Sequence, residues 1–231
     1  RDRSPSRGLG DVYKRQAYVI VKNCGAGGGG HVRGGKRLNR DALSLRGLYE
    51  WVQVLVCAVT ATVLLFTFAA RVVLVSGPSM RETLQHQDCL LVMNAHLCGG
   101  FEAGDIVIIR KESFKDGEPI VKRVIATEGQ TVDIDFVSGA VYVDGELLEE
   151  DYINEPTYVE EGTEFPLTVP EGSIFVMGDN RNHSSDSRSS DLGTVDTRYV
   201  IGKAVFLLFP GADEATGQRD FGRIGPIAGI D

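Results

Sequence analysis

The sequence predicts a mostly β protein, in which an antiparallel β-sheet domain with a smaller β insertion follows one N-terminal transmembrane helix. Two observations carry this fold class. Residues 51–70 form a run of 20 residues without a formal charge. Beyond residue 71 the pattern changes to short β-branched runs separated by Gly, Asp and Pro, which is typical of antiparallel strands and turns. The composition, 42% hydrophobic and 24% charged, is that of an ordinary globular protein and identifies no functional class.

Residues 1–48 are predicted to form a basic, glycine-rich and disordered segment. Residues 1–50 carry 11 Lys or Arg against 4 Asp or Glu, whereas residues 51–231 carry a net charge of −15. The run at 25–30 (GAGGGG) is typical of a flexible tether. Residues 1–16 resemble translated library-adapter sequence, and we therefore leave them out of the fold prediction.

The uncharged run predicts a transmembrane helix over residues 49–71. As a helix, 20 residues span about 30 Å, the thickness of the hydrocarbon core of a bilayer. A buried core helix would show a polar stripe, but only Gln53 and a few threonines interrupt this run. The apolar region of a cleavable signal peptide has about 7 to 15 residues, so this run is too long to be one.

Basic residues before this helix predict its orientation. Under the positive-inside bias, the N-terminus is cytoplasmic and residues 72–231 form an extracytoplasmic domain of a single-pass protein in the cell membrane. The basic residues closest to the helix are Lys36, Arg37, Arg40 and Arg46.

Within the domain, the pair Asp144 and Gly145 predicts a hairpin turn, and a smaller β insertion is expected around residues 130–172. There is no nucleotide-binding loop and no basic aromatic surface, so no nucleic-acid partner is expected. The four cysteines have no CxxC spacing, and neither a metal nor another cofactor is predicted. Cys89 and Cys98 follow the helix and either pair or remain free thiols.

Three segments of the domain carry residues that are suited to catalysis. Ser79 lies in the turn-like sequence SGPSM, nine residues after the apolar run. Serine is common in turns, so a nucleophile also requires a base. His86, His96 and His183 show no recognisable nucleophile elbow or triad order.

Lys122 is the better candidate for the base. It lies in an apolar strand, where alternation predicts that Lys122 and Arg123 face opposite sides and that one of them faces inward. Burial would lower the pKa of a lysine from about 10.4 toward neutrality, so that the free amine accepts a serine proton. The alternative is a strand-edge lysine that reaches solvent.

The third segment, GDNRNHSSDSR at residues 178–188, is dense in hydrogen-bonding groups. It offers a hydroxyl to position a neutral amine and an Asp/Arg pair to hold the loop. The alternative is a solvated surface loop.

One N-terminal anchor followed in order by SGPSM, GDIVIIR, VKRVIATEG and GDNRNHSSDSR closely resembles the bacterial type I signal peptidases, over residues 50 to about 210. The resemblance implies a mostly β serine peptidase without a metal, which acts at the lipid bilayer. Its substrates would be the signal peptides of exported preproteins, cut after small residues in an Ala-X-Ala pattern.

The resemblance also assigns roles to individual residues. Ser79 matches the nucleophile, Lys122 the general base and Ser184 the hydroxyl that orients the lysine. The other matched residues are Asp186 and Arg188 as a supporting ion pair, Gly178 and Asp179 at the start of the last motif, and Gly77, Met80 and Val121 in the oxyanion and substrate cleft. Gly77 stands where some members have a serine donor, so the oxyanion hole would depend mainly on backbone N–H groups, including that of Ser79.

Two other functions are compatible with parts of this pattern. One is a Ser/Lys peptidase dedicated to a single partner, as in self-cleaving repressors, although those carry a DNA-binding domain where this chain has the apolar helix. The other is a membrane-anchored β-domain that binds peptides without cutting them. Only loss of the Ser/Lys pair would favour the latter, and both residues are present.

Overall fold

A computed structural model describes residues 38–213 and 216–227, with side chains from residue 47 onward. Of the basic segment predicted to be disordered, residues 1–37, with the foreign sequence expected at 1–16, lie outside the described residues, whereas residues 38–48 are helical. Cys24 lies outside the described residues too.

The apolar run forms a long helix. Helix α1 spans Leu38–Leu64 and continues into a π-helical turn at Leu65–Ala69. Its apolar part, Gly47–Ala69, has 23 residues and a mean hydropathy of 2.2, so it is long and apolar enough to cross a membrane. None of this part is buried inside the protein. The helix begins before the predicted residue 49. It ends at Ala69 rather than at residue 71, because the chain pairs as a β-strand from Ala70 onward.

Eight of the strands that follow the helix form one antiparallel sheet, called here the main sheet. Its strands are β1 (Ala70–Leu74), β2 (Cys89–Asn94), β3 (Ile106–Ile109), β4 (Ile120–Thr127), β9 (Ser173–Met177), β10 (Val195–Asp196), β11 (Val200–Phe209) and β12 (Gly225–Pro226). Their order in the sheet is β1-β2-β11-β3-β4-β9-β10, and β12 pairs with β11. The predicted fold class, a mostly β antiparallel domain after one apolar helix, is confirmed.

The chain between β4 and β9 forms a second sheet of four strands, called here the small sheet. Its strands are β5 (Thr131–Asp135), β6 (Ala140–Val143), β7 (Glu146–Leu147) and β8 (Leu167–Thr168). Their order in the sheet is β7-β6-β5-β8. The predicted hairpin turn is present: Asp144 and Gly145 have φ of 53° and 83° and connect the paired residues Val143 and Glu146.

Strand β4 is covered on both faces, and this corrects one prediction. An apolar cluster that includes Ile125, Val132 and Phe175 joins β4 and β9 to the small sheet. Val124 packs in a different apolar cluster, with Val107 and Ile174, and residues 122–126 are all buried. Lys122 and Arg123 do point to opposite faces of a strand, but both faces are buried, so that neither side chain reaches solvent.

The two cysteines of the domain are free thiols. Cys89 begins β2, whereas Cys98 follows the other end of that strand and donates to the carbonyl of Asn94 at 3.3 Å. Of the two alternatives for this pair, the structure has the unpaired one.

Candidate active site

Ser79 lies on a loop between β1 and β2 whose two ends are fastened together. The N–H of Val75 donates to the carbonyl of Asp88 at 2.9 Å, and the N–H of Gln87 donates back to Val75 at 2.9 Å. Met80, the residue after the serine, is 1% exposed and packs in the core. Ser79 itself lies on this anchored segment and is partly exposed.

Gly77 permits the turn that precedes Ser79, since its φ of +92° is rarely adopted by residues with a side chain. Its N–H donates to Nδ1 of His86 at 3.3 Å. Val121, the third residue predicted for the cleft, is partly buried and packs against the core cluster that contains Met80.

Lys122 lies in β4 opposite Val107 of β3 and is 1% exposed. Burial is the main cause that lowers the pKa of its side chain to about 8, since it removes the ammonium from water; the charge of Asp186 acts in the opposite direction. A large fraction of this lysine is therefore neutral at mildly alkaline pH. On its other side, β4 pairs with β9 in a register that sets Arg123 opposite Met177. Lys122 therefore lies next to Gly178 across the ladder.

Gly178 is the point at which the three predicted segments meet. A Cβ atom at this position would collide with Oγ of Ser184 and with the carbonyl oxygen of Ser79. The next residue but one, Asn180, donates its N–H to that same carbonyl at 3.1 Å and its side-chain Nδ2 to the carbonyl of Pro78 at 3.1 Å. A side chain at 178 would thus separate residues 75–88, called here the serine loop, from residues 178–188, called here the polar loop.

Asp186 organises the interior of the polar loop. It accepts hydrogen bonds from Oγ of Ser184 at 2.7 Å and from the N–H of Gly178 at 2.9 Å. Arg188 binds both of its carboxylate oxygens at 2.9 Å. Burial would raise the pKa of Asp186, but the hydrogen bonds and charge of Arg188, with the nearby Lys122, hold it below its usual range. All of these side chains are buried, so the segment is not a solvated surface loop.

Comparison with known proteins identifies the family of this chain. The model of the family described as signal peptidase, peptidase S26, matches residues 48–209. The chain belongs to this family. It is a serine peptidase and therefore a hydrolase.

Several relatives in the signal peptidase family resemble the chain over most of their length. It is 37% identical to a signal peptidase I of Bacillus licheniformis, over 71% of this chain and 89% of the relative. It is 36% identical to a probable signal peptidase I-1 of Synechocystis, over 70% and 82%. A crystal structure of a signal peptidase I from Enterococcus faecalis aligns with 45% of this chain and 96% of its own, at 33% identity and a TM-score of 0.37.

One ion pair at the site was not predicted from the sequence. Asp179 was assigned only to the start of a motif, but its two carboxylate oxygens bind Arg123 at 2.8 and 2.7 Å. Thr83 donates to the same carboxylate at 2.6 Å, and the ring of Tyr152 stacks 4.0 Å from the guanidinium. The only sequence signal was that each partner adjoins a motif residue, Lys122 or Gly178.

A second residue that the sequence did not indicate is Glu161. It accepts the N–H of Asp186 at 3.3 Å, and its neighbour Gly162 bridges to Ser189. Burial is the first cause that raises the pKa of Glu161, followed by the charge of Asp186. Glu161 is also one of the charges that favour the protonated form of Lys122. It lies in a stretch with no motif, and only the fold brings it to the polar loop.

Proposed function

We propose that this chain is a membrane-anchored endopeptidase that removes signal peptides from exported preproteins, with Ser79 as nucleophile and Lys122 as general base. The observation that carries the proposal is the burial of Lys122, which lowers its pKa to about 8. A lysine that stays fully protonated cannot accept a proton, whereas this one has a substantial neutral fraction near physiological pH. Membership of the signal peptidase family supports the same reaction.

In the proposed reaction, the neutral amine of Lys122 takes the proton of the Ser79 hydroxyl as the serine oxygen attacks the scissile carbonyl carbon. The resulting ammonium then protonates the leaving amine, and the C–N bond breaks to leave an acyl-enzyme. The amine, neutral again, takes a proton from water, which attacks the ester carbonyl carbon. The ammonium then returns that proton to Oγ of Ser79 as the ester C–O bond breaks, which releases the signal peptide and restores the serine hydroxyl and the neutral amine. Each step moves one proton through one lysine.

Ser184 is proposed to position the amine of Lys122. Its hydroxyl hydrogen is directed to Asp186, so that its oxygen lone pairs remain to accept an N–H of the amine. Asp186 is in turn fixed by Arg188 on both oxygens. The buried ion pair thus acts through Ser184 and does not itself contact the substrate.

The position of Ser79 close to the apolar helix supports the proposal that the substrate is membrane-bound. Ser79 follows the end of the apolar helix at Ala69 by ten residues, a reach of at most ~35 Å when fully extended. With the N-terminus in the cytoplasm, as the flanking basic residues favour, the cleft would open near the outer membrane surface. A signal peptide held by its own apolar segment would present its cleavage site there.

Recognition of small residues is proposed to follow from strand pairing. An extended peptide that pairs with a strand edge turns alternate side chains toward the protein. The first and third residues before the scissile bond would then enter small pockets, and the second would face away. This accounts for an Ala-X-Ala preference.

The experiment is cleavage of a preprotein panel by the full chain in detergent. Each preprotein carries one bulky residue at the first, second or third position before the scissile bond, and Ser79→Ala serves as the inactive control. We expect cleavage to be blocked at the first and third positions and tolerated at the second. Indifference at all three would refute signal-peptide processing and leave a Ser/Lys peptidase dedicated to one partner.

A further inference from the structure

A groove on the main sheet collects positive charge on an otherwise acidic domain. It has a volume of about 540 Å³, and its lining includes the guanidinium groups of Arg71, Arg110 and Arg198. Among the described residues that line it, none is acidic. Residues 51–231 together carry a net charge of −15, so this cluster, called here the basic groove, locally reverses the charge of the surface.

We propose that the basic groove binds the phosphate of an anionic lipid headgroup at the membrane surface. The proposal rests on the membrane anchoring proposed above but not on the peptidase reaction. A guanidinium presents planar N–H groups that match the oxygens of a phosphate, and three of them line this groove.

The groove is connected directly to the end of the apolar helix. Asn94, one of its lining residues, donates its side-chain Nδ2 to the carbonyl of Phe68 at 3.4 Å, within the last turn of that helix. Arg71 follows the final helical residue, Ala69, by two positions, or about 7 Å of extended chain. Phosphates of a bilayer lie just beyond its hydrocarbon core, which is the depth at which this groove begins.

The arginines retain N–H groups for a ligand. Arg110 uses Nε for a hydrogen bond to the carbonyl of Gly117 at 3.0 Å, and its side chain is otherwise exposed. Arg198 pairs with Asp196, which lies beside the groove, but its own side chain is 85% exposed. Arg71 is exposed in β1. The aromatic ring of Tyr199, 44% exposed, adds a group that favours the bilayer interface.

The test measures lipid binding without a preprotein, in the Ser79→Ala background, so that its outcome is independent of the proposed reaction. The full chain in detergent is titrated with phosphatidylglycerol or phosphatidylcholine, and bound lipid is counted by native mass spectrometry. We expect Arg71→Gln combined with Arg110→Gln to weaken phosphatidylglycerol binding by about tenfold or more, with phosphatidylcholine unaffected. Lys115→Gln combined with Arg219→Gln removes the same amount of charge outside the groove. This control should change the binding of neither phosphatidylglycerol nor phosphatidylcholine.

Two further measurements distinguish a lipid phosphate from free phosphate and check that a loss of binding is not caused by misfolding. Inorganic phosphate at equal concentration should not displace phosphatidylglycerol, since it lacks the acyl chains that lie beside the helix. Equal displacement would make this a free-anion site and overturn the lipid assignment. The single variant Arg71→Gln, checked for an unchanged thermal transition, guards against misfolding. The proposal would be overturned if phosphatidylglycerol binding were unchanged in both the Arg71→Gln variant and the double variant. It would also be overturned if the Lys115→Gln and Arg219→Gln control reduced this binding equally.

Discussion

The guanidinium of Arg123 binds both carboxylate oxygens of Asp179, at 2.8 and 2.7 Å, and the two side chains are 3% and 0% exposed. Each partner adjoins a residue of the proposed site. Arg123 follows Lys122 on β4, and Asp179 follows Gly178 at the start of the polar loop. The ion pair therefore fixes the strand that carries the lysine to the loop that carries Ser184.

Asp179→Asn should destabilise the domain, because it leaves the Arg123 charge buried without its partner. We expect a loss of about 3–5 kcal/mol in the free energy of unfolding, measured by urea denaturation. The matched control is Asp196→Asn, which breaks the exposed pair with Arg198 and should leave stability nearly unchanged. Equal effects of the two substitutions would show that the buried pair has no special role.

Gly178→Ala should abolish cleavage while the protein still folds. The added methyl group meets Oγ of Ser184 and the carbonyl of Ser79, so the serine and polar loops must move apart. Gly225→Ala is the control, since a Cβ there meets nothing within 4 Å. The measurement is kcat for a preprotein, with circular dichroism to check the fold. Full activity of Gly178→Ala would mean that the two loops need not be in contact.

Glu161→Gln should shift the pH profile of activity toward acid. The carboxylate of Glu161 stabilises the protonated form of Lys122, so its removal lowers the lysine pKa further below about 8 and the neutral amine appears at lower pH. Glu164→Gln removes the same charge three residues away on an exposed side chain and should leave the profile in place. The readout is the midpoint of kcat/KM against pH. A midpoint that moves toward alkali would contradict the assigned interaction.

Arg223→Gln tests a contact outside the region that the family model matches, which ends at residue 209. Arg223 pairs with the buried Asp88 at 2.7 Å and donates to the carbonyl of Thr83 at 3.0 Å, on the loop that carries Ser79. We expect a loss of about 3 kcal/mol in unfolding free energy, because Asp88 stays buried with its charge. Arg198→Gln is the control on the exposed pair. A variant with unchanged stability would show that the C-terminal segment does not hold this loop.

The sequence predicted the parts of the fold whose signals are local. The uncharged run before Arg71 and the Asp144 and Gly145 turn needed no knowledge of distant contacts. The end of the helix was misjudged by two residues because pairing of Ala70 with Met93 determines it, and that partner is distant in the chain.

The candidate site likewise contains contacts between near neighbours in the sequence, which could be predicted, and contacts between distant residues, which could not. The ion pair of Asp186 and Arg188 is separated by two positions and was predictable from the motif. The pair of Arg123 and Asp179 spans 56 positions, and Glu161 meets Asp186 across 25, so only the tertiary fold brings these groups together. Burial of both Lys122 and Arg123 could likewise not be predicted, because alternation along a strand does not reveal whether one or both of its faces are covered.

The pH dependence of kcat/KM for preprotein cleavage tests the proposed role of Lys122 most directly. The lysine must be neutral to accept the proton of Ser79, so activity should rise with pH through a midpoint near 8, the lowered pKa of this side chain. His183→Ala, a change at an exposed residue of the polar loop, should leave that midpoint unchanged, and Lys122→Ala should abolish cleavage. Activity that falls as pH rises through 8, or a midpoint near 6.5 that His183→Ala removes, would contradict the Ser/Lys mechanism.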